Sequence, residues 1–387
     1  MKDRIDKIKN KFYELYGNKA DCIVKSPGRV DLMGIHTDYN GGFVLPVAVN
    51  VDVISAGSNR NDRTVNLYSM NLDKSASFSL DNIEYDEVNR WSNYIRGVVK
   101  YIEETGIKLK GADIVLHGNV PIGSGLSSSA ALEISSGYLF QCLNGFDMEG
   151  TTLALIGQKA ENKFVGVSTG IMDQFISRLG KKDHALFVDC RTMEYELLPL
   201  DTSKVKVIVC NTMKQRGLVD SEYDLRRKQC EEAVKYFSKW KNGITQLRDI
   251  SSDEFEEYKD KLPDVVRKRA EHVIYENERV CASKALLNAG KFEDFAELMN
   301  QSHNSARDLY EVSCDELEAM VEATRNAPGS LCGRLAGAGF GGCTVSLVKD
   351  EYVEDFLEYT EREYSDKTGL MPILYVCTAE DGASLIS

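Results

Sequence analysis

The sequence predicts a two-domain α+β protein on three observations. At 387 residues the chain exceeds what one ordinary hydrophobic core serves and suits two domains of roughly 150 to 200 residues each. Apolar β-rich runs alternate with amphipathic helical segments over its first part, and a long charged helical stretch fills residues 221 to 300. The composition, with 43% hydrophobic and 28% charged residues and seven prolines, is that of a folded globular chain. The shift near residues 200 to 220 divides the chain into 1–205 and 206–387, and two domains imply a cleft.

Taken in order, MKDRIDKIKNKFYELYG places Ile5, Ile8, Phe12 and Leu15 on one helical face with lysines between them. That is a surface helix, not a signal peptide or a membrane span. The runs VLPVAVNVDVISAG, RTVNLYSM and SASFSL, bounded by Gly, Asn and Asp, read as strands. In WSNYIRGVVKYIEETG, Trp91, Ile95, Val98 and Ile102 share a helical face before a glycine stop. The strand ADIVLHG leads through a Pro- and Gly-containing turn into LSSSAALEISSGYLFQCL, whose serines suit a helix start. HALFVDC and KVKVIVC are further strands, followed by the helical stretch from Ser221 to Asn300. Within it, SSDEFEEYKDKLPDVVRKRAEH intersperses both signs, as a solvated helical face does.

The formal net charge of −13 argues against nucleic acid or an anionic membrane as partner, since both need a positive surface. An anionic ligand therefore needs a local site. Ten cysteines without a CxxC pair fit reduced thiols and a cytoplasmic location.

Four segments carry chemistry. VPIGSGLSSSAALE, residues 120 to 133, sets glycines 123 and 125 before Ser127, Ser128 and Ser129 at a helix start. Backbone N–H groups and the helix dipole there favour phosphate, and Ser129 offers a hydroxyl for Mg²⁺. No GxxxxGK[ST] sequence is present, and a Gly-Ser turn taken alone is more often only a turn. In RLAGAGFGGCTVSLV, Gly337, Gly339, Gly341 and Gly342 read first as a tight turn packing two backbones and second as another wall around phosphates. SPGRVDLMGIHTDYNGG concentrates Arg29, Asp31, His36, Asp38, Tyr39 and Asn40 before an apolar strand, a polar density suited to sugar hydroxyls, the alternative for His36 taken alone being a satisfied turn histidine. AENKFVGVSTGIMDQFISRLG supplies Glu161 and Asp173, one to hold Mg²⁺ and one to accept a hydroxyl proton. Spacing alone favours a solvated helical pair for those two acids.

In this order the segments resemble the galactokinases of the GHMP small-molecule kinase family, and the resemblance extends through WSNYIRGVVKYI, KKDHALFVDCRT, SEYDLRRKQCEEA and DLYEVSCDELE. It implies an N-terminal domain with a left-handed βαβ unit, a C-terminal ferredoxin-like domain, and an ATP-dependent sugar 1-kinase that is a cytoplasmic monomer. Its partners would be a small sugar and MgATP. By motif position, Asp173 matches the catalytic base and Arg29 the group that stabilises developing charge. Ser129 and Glu161 match the Mg²⁺ ligands. Gly123, Ser124, Gly125, Leu126, Ser127, Ser128 and Ser129 match the phosphate loop, Trp91 an adenine-side aromatic, and Ser69 the nucleotide pocket. His36, Asp38, Gly170 and Tyr223 match sugar contacts, with Ile35 and Thr37 in the same motif.

The departures bear on substrate. Where galactokinases usually read GEHTDYN this chain reads GIHTDYN, so Ile35 replaces an acidic sugar ligand. A substrate hydroxyl left unpaired there costs about 1 to 3 kcal/mol. That leaves a kinase for a sugar altered at C6 or otherwise related, such as galacturonate, fucose or N-acetylgalactosamine, as the alternative to galactose. Asp31 for Asn, Thr169 for Cys and AGAGFGG for TGGGFGG are smaller departures. A non-catalytic sugar sensor on the same fold is the other class. The intact GLSSSAA stretch, with Arg29 and Asp173 both present, argues against it.

Overall fold

The structure, a computed structural model, describes residues 1–121, 125–167, 169–214 and 219–386, with the side chains of 219–221 outside that description. The strands are β1 (Cys22–Met33), β2 (Phe43–Asn59), β3 (Thr64–Ser69), β4 (Lys74–Ser79), β5 (Ala112–Gly118), β6 (His184–Asp189), β7 (Tyr195–Pro199), β8 (Val205–Asn211), β9 (Arg334–Leu335), β10 (Cys343–Lys349), β11 (Ile373–Cys377) and β12 (Ser384–Leu385). The helices are α1 (Lys2–Tyr16), α2 (Asn93–Glu104), α3 (Ser128–Asn144), α4 (Gly150–Lys159), α5 (Met172–Leu179), α6 (Val219–Phe237), α7 (Ser252–Tyr258), α8 (Asp264–Asn288), α9 (Phe292–Ser305), α10 (Asp315–Asn326) and α11 (Val353–Thr368).

One sheet has the order β12-β1-β2-β5-β3-β4, extended by β6 on β2 and β7 on β6. Within it β3 and β5 run parallel, joined through β4 and α2. The other sheet, β11-β8-β10-β9, is antiparallel throughout. Numbered by sequence its strands lie 4-1-3-2, and α11 joins the third to the fourth, which is the ferredoxin-like arrangement.

The apolar run of β8 is continuous because both of its faces are covered. Val207 and Val209 join the cluster that holds Val30 and Val47 of the first sheet, while Ile208 and Cys210 pack with Met320 of α10 and Phe356 of α11. The second sheet thus begins at β8, yet the chain end returns, with Ala379 bridging Val49 and Leu385 pairing with Val24.

Two readings need correction. The stretch from Ser221 to Asn300 is not one helical run: it is broken into α6, α7, α8 and α9, with a Ser251–Glu254 capping box opening α7. On α1, Ile8 and Phe12 are buried but Leu15 is exposed. Tyr16 packs in its place and its hydroxyl donates to the Ile114 carbonyl at 3.4 Å, because the next turn of the stripe falls at i+4 from Phe12 rather than i+3.

Candidate active site

Strand β1 carries two register shifts against β2, one between Pro27 and Arg29 and one between Asp31 and Met33. Such bulges re-aim side chains next to a site, and the bracketed Arg29 and Asp31 both line a cleft of about 380 Å³. Across it stands α5. The Arg29 guanidinium meets the Asp173 carboxylate in a two-point fork, Nε to Oδ1 at 2.7 Å and Nη2 to Oδ2 at 2.8 Å. Arg29 also donates to the Gly125 carbonyl, and the Ser127 hydroxyl donates to Asp173.

Those two contacts tie the ion pair to the start of α3. Ser127 is its N-cap residue, at φ 57° and ψ 56°, and makes no side-chain cap bond, since its hydroxyl is directed to Asp173. The helix N-terminus therefore faces the cleft uncapped by the Ser127 side chain, beside Ser128 and Ser129, an arrangement suited to an anion. Gly123 and Ser124 lie outside the described residues.

The Gly-rich turn supports both of its readings. Gly337, Gly339, Gly341 and Gly342 all have positive φ. A Cβ at Gly339 would sit 2.2 Å from the Val312 carbonyl oxygen, so there the turn packs backbones. Gly337 and Ala338, however, line the cleft.

Opposite lies a polar and aromatic wall. The His36 Nε2 is 3.1 Å from the Ala338 carbonyl, which only accepts, so Nε2 carries the proton and Nδ1 accepts from the Tyr39 hydroxyl at 2.8 Å. Tyr39 in turn accepts from Tyr310 at 2.7 Å. Burial lowers the His36 pKa to about 3, so its ring is neutral with both nitrogens engaged. It presents a ring face and edge, within 5.3 Å of the Tyr223 ring, rather than a free nitrogen.

Asp38 is pressed against Gly170, where a Cβ would lie 1.5 Å from its Oδ2. Only glycine at 170 leaves room for that carboxyl. Burial raises its pKa to about 6. Asp31 is also buried, its pKa raised by desolvation against the pull of Arg334 and Arg29, and it pairs with Arg334 at 3.3 Å.

Glu161 is not the solvated acid its spacing favoured. It lies in a π-turn, residues 160 to 165, only 4% exposed. Desolvation raises its pKa, the Asp173 charge adds to that, and a hydrogen bond from Ser129 counters it. Glu161 itself does not line the cleft, whereas Ser129 does.

The structure brings together Arg29, Ile35, His36, Asp38, Gly125, Ser127, Ser128, Ser129, Gly170, Asp173 and Tyr223 around this one cleft. Besides Glu161, four expected residues stand apart from its lining. Thr37 spends its hydroxyl on the Gly34 and Phe43 carbonyls at 2.8 and 2.6 Å. Leu126 turns its side chain into the core and accepts from the Arg29 N–H at 3.1 Å through its carbonyl. Trp91 packs beside the α2 core, and Ser69, at the end of β3, accepts a 3.4 Å bond from the Leu72 N–H. Sequence reading missed Asp224 on α6, which lines the cleft, and Gln174, which bridges two buried glutamates. For Gln174 the only signal was its place beside Asp173.

Comparison with known proteins gives a consistent result over the whole chain. Residues 10–59 match the galactokinase galactose-binding signature, residues 93–181 the GHMP kinases N terminal domain, and residues 283–365 the GHMP kinases C terminal domain. The galactokinase of Roseiflexus sp. (strain RS-1) is 45% identical over 98% of this chain and 96% of its own length. That of Clostridium acetobutylicum is 41% identical over 100% of both. The crystal structure of Lactococcus lactis galactokinase complexed with galactose aligns with a TM-score of 0.93 at 34% identity, covering 98% of this chain and 99% of that one. Mevalonate kinase from Methanococcus jannaschii shares the fold, with a TM-score of 0.65 at 17% identity over 93% and 98% of the two chains.

Proposed function

Because this chain belongs to the galactokinases of the GHMP kinase family, we propose that its cleft transfers the γ-phosphoryl group of ATP to the anomeric hydroxyl of galactose. The observation that carries this reading is the Arg29–Asp173 fork, placed where the start of α3 meets the His36–Asp38 wall. Asp173 accepts the proton of the sugar hydroxyl as its oxygen bonds to phosphorus and ADP leaves. Arg29 neutralises charge on the alkoxide and the transferring oxygens. The α3 N-terminus with Ser128 and Ser129 holds phosphate, so catalysis is mostly positioning and electrostatics. Asp38, the backbone at Gly170 and Tyr223 hold the sugar, His36 packs against it, and Ile35 gives it an apolar edge. Trp91 and Ser69 serve the adenine side.

The Ser129 hydroxyl and Glu161 carboxyl are hard oxygen donors that bond to each other, which fits Mg²⁺. Among the described residues no three or more His, Cys, Asp or Glu side chains group as a metal site, so these two oxygens would act together with substrate phosphates. When bound, Mg²⁺ neutralises charge on the β- and γ-phosphates.

The proposal extends to a cytoplasmic monomer without nucleic acid or membrane partners, dividing at 205/206. The net charge of −13 and ten free cysteines support the first part, and among the described residues no helix is long and apolar enough to cross a membrane.

The test is ³¹P NMR of the product: ATP, Mg²⁺ and galactose are expected to yield ADP and galactose 1-phosphate. Phosphate on another hydroxyl, or none transferred, overturns the assignment.

A pH dependence follows from Asp38. With burial lifting its pKa to about 6, the carboxylate is charged at pH 7.5 and protonated below 6. A protonated Asp38 loses charge-assisted acceptance from sugar hydroxyls, so KM for galactose is expected to rise about tenfold between pH 7.5 and 5. His36, neutral down to about pH 3, adds nothing in that window. Steady-state KM against pH checks this, and Asp38→Asn should raise KM at pH 7.5 and flatten the profile.

A further inference from the structure

Beneath the cleft lies a buried polar layer that the transfer step does not use. Gln174 follows Asp173 on α5 and is wholly buried. Its amide nitrogen donates to Glu133 Oε2 at 2.9 Å and to Glu161 Oε2 at 2.8 Å. Thr169 Oγ1 donates to the same Glu161 oxygen at 3.0 Å. One amide thus joins α5 to a carboxyl on α3 and another in the π-turn after α4, with both of its hydrogens engaged.

The direction of that amide matters. The same amide nitrogen meets Glu133 and Glu161, so Glu133 helps fix which end of Gln174 faces Glu161. Space is reserved for the pair: a Cβ on Gly157 of α4 would lie 3.1 Å from Gln174 Cγ and 3.5 Å from Glu133 Oε2. The layer also carries a cost. Glu133 Oε1 and Gln174 Oε1 are buried without partners among the described residues, and two apolar side chains of the same shape would remove that penalty. What the polar pair gives in return is a fixed carboxyl, since Glu161 also takes a hydrogen bond from Ser129, which lines the cleft.

We propose that Gln174, aligned by Glu133, is a positioning residue that fixes the Glu161 carboxyl against Ser129 and so sets how tightly that pair holds Mg²⁺. This rests on the reading of Ser129 and Glu161 as the protein's Mg²⁺ donors. Partners behind a metal ligand fix its orientation, and their loss typically weakens metal binding about 10- to 100-fold.

The test measures Mn²⁺ binding to the full-length protein in the presence of ADP, from the EPR signal of free Mn²⁺, and galactose binding by calorimetry without metal. Gln174→Met, close in shape but without the amide, is expected to weaken Mn²⁺ binding about 10- to 100-fold and leave galactose binding unchanged. Glu133→Leu should behave like Gln174→Met. Glu133→Gln keeps an oxygen facing Gln174 and should stay within about threefold of the parent. Wild-type Mn²⁺ affinity in Gln174→Met, alongside weakened binding in Glu161→Ala, overturns the positioning role while leaving the metal site standing. Unchanged affinity in Glu161→Ala overturns the metal site and this inference with it. Should Gln174→Met fail to fold, Glu133→Leu decides by the same criteria, and parallel loss of Mn²⁺ and galactose binding counts against the proposal.

Discussion

Asp173→Asn is expected to lower kcat for galactose phosphorylation by about 10³-fold or more, with ATP affinity within about threefold of the parent. An amide of nearly the same shape cannot take the hydroxyl proton, and general-base removal costs about 10² to 10⁴ in rate. The substitution also breaks the fork, because an amide offers Arg29 one acceptor where the carboxylate offers Oδ1 and Oδ2. The Ser127 hydroxyl, which donates to Asp173, then competes with Arg29 for the single oxygen. Single-turnover kinetics and calorimetric ATP titration check the two halves separately. Turnover near the parent value would remove Asp173 from the chemistry.

Arg29→Ala is expected to reduce kcat by about 10² to 10³, the range for losing one preorganised donor at developing charge, with a smaller change in ATP affinity. A stability loss accompanies it. Arg29 is 7% exposed and Asp173 21% exposed, so truncation leaves a partly buried carboxylate unpaired. Removing one partner of a fully buried pair costs about 3 to 5 kcal/mol, and the partial exposure of Asp173 reduces that to about 2 kcal/mol. Chemical denaturation measures the second effect and steady-state kinetics the first. If only stability fell, Arg29 would be a structural support for Asp173 and not a participant in charge stabilisation. Arg29→Lys separates the roles further, since a single ammonium cannot reproduce the fork.

Much of this site was legible in the sequence because its chemistry is concentrated in short segments. Arg29 and Asp38 fall within one motif, and the serines at the α3 start within another. Strand β8 was equally readable, its apolar run being continuous because both faces are covered. What local pattern could not convey was long-range partnership. His36 is fixed by a carbonyl 302 positions away, at Ala338, so of its two readings the satisfied histidine holds, while the partner that satisfies it was not legible in the local pattern. Glu161 read as solvated because nothing nearby announces that the π-turn buries it beside Gln174. The breaks between α6, α7, α8 and α9 were hidden for a related reason, since a long charged stretch hides its caps until packing selects them. Thr37 and Leu126 belong to motifs whose backbone builds the site while their side chains hold the turn and the core.

Ile35 leaves the sharpest question about substrate, because its buried side chain lines the cleft and packs with Tyr310 and Leu335. The measurement that addresses it, and the central claim with it, is MgATP consumption by the purified protein against galactose, N-acetylgalactosamine, fucose, galacturonate and arabinose. Galactose is expected to give the highest kcat/KM, with Ile35 a tolerated replacement at the sugar's edge. A higher kcat/KM for fucose or galacturonate would contradict galactose as the substrate, and no turnover with any of the five would contradict phosphoryl transfer to a sugar altogether.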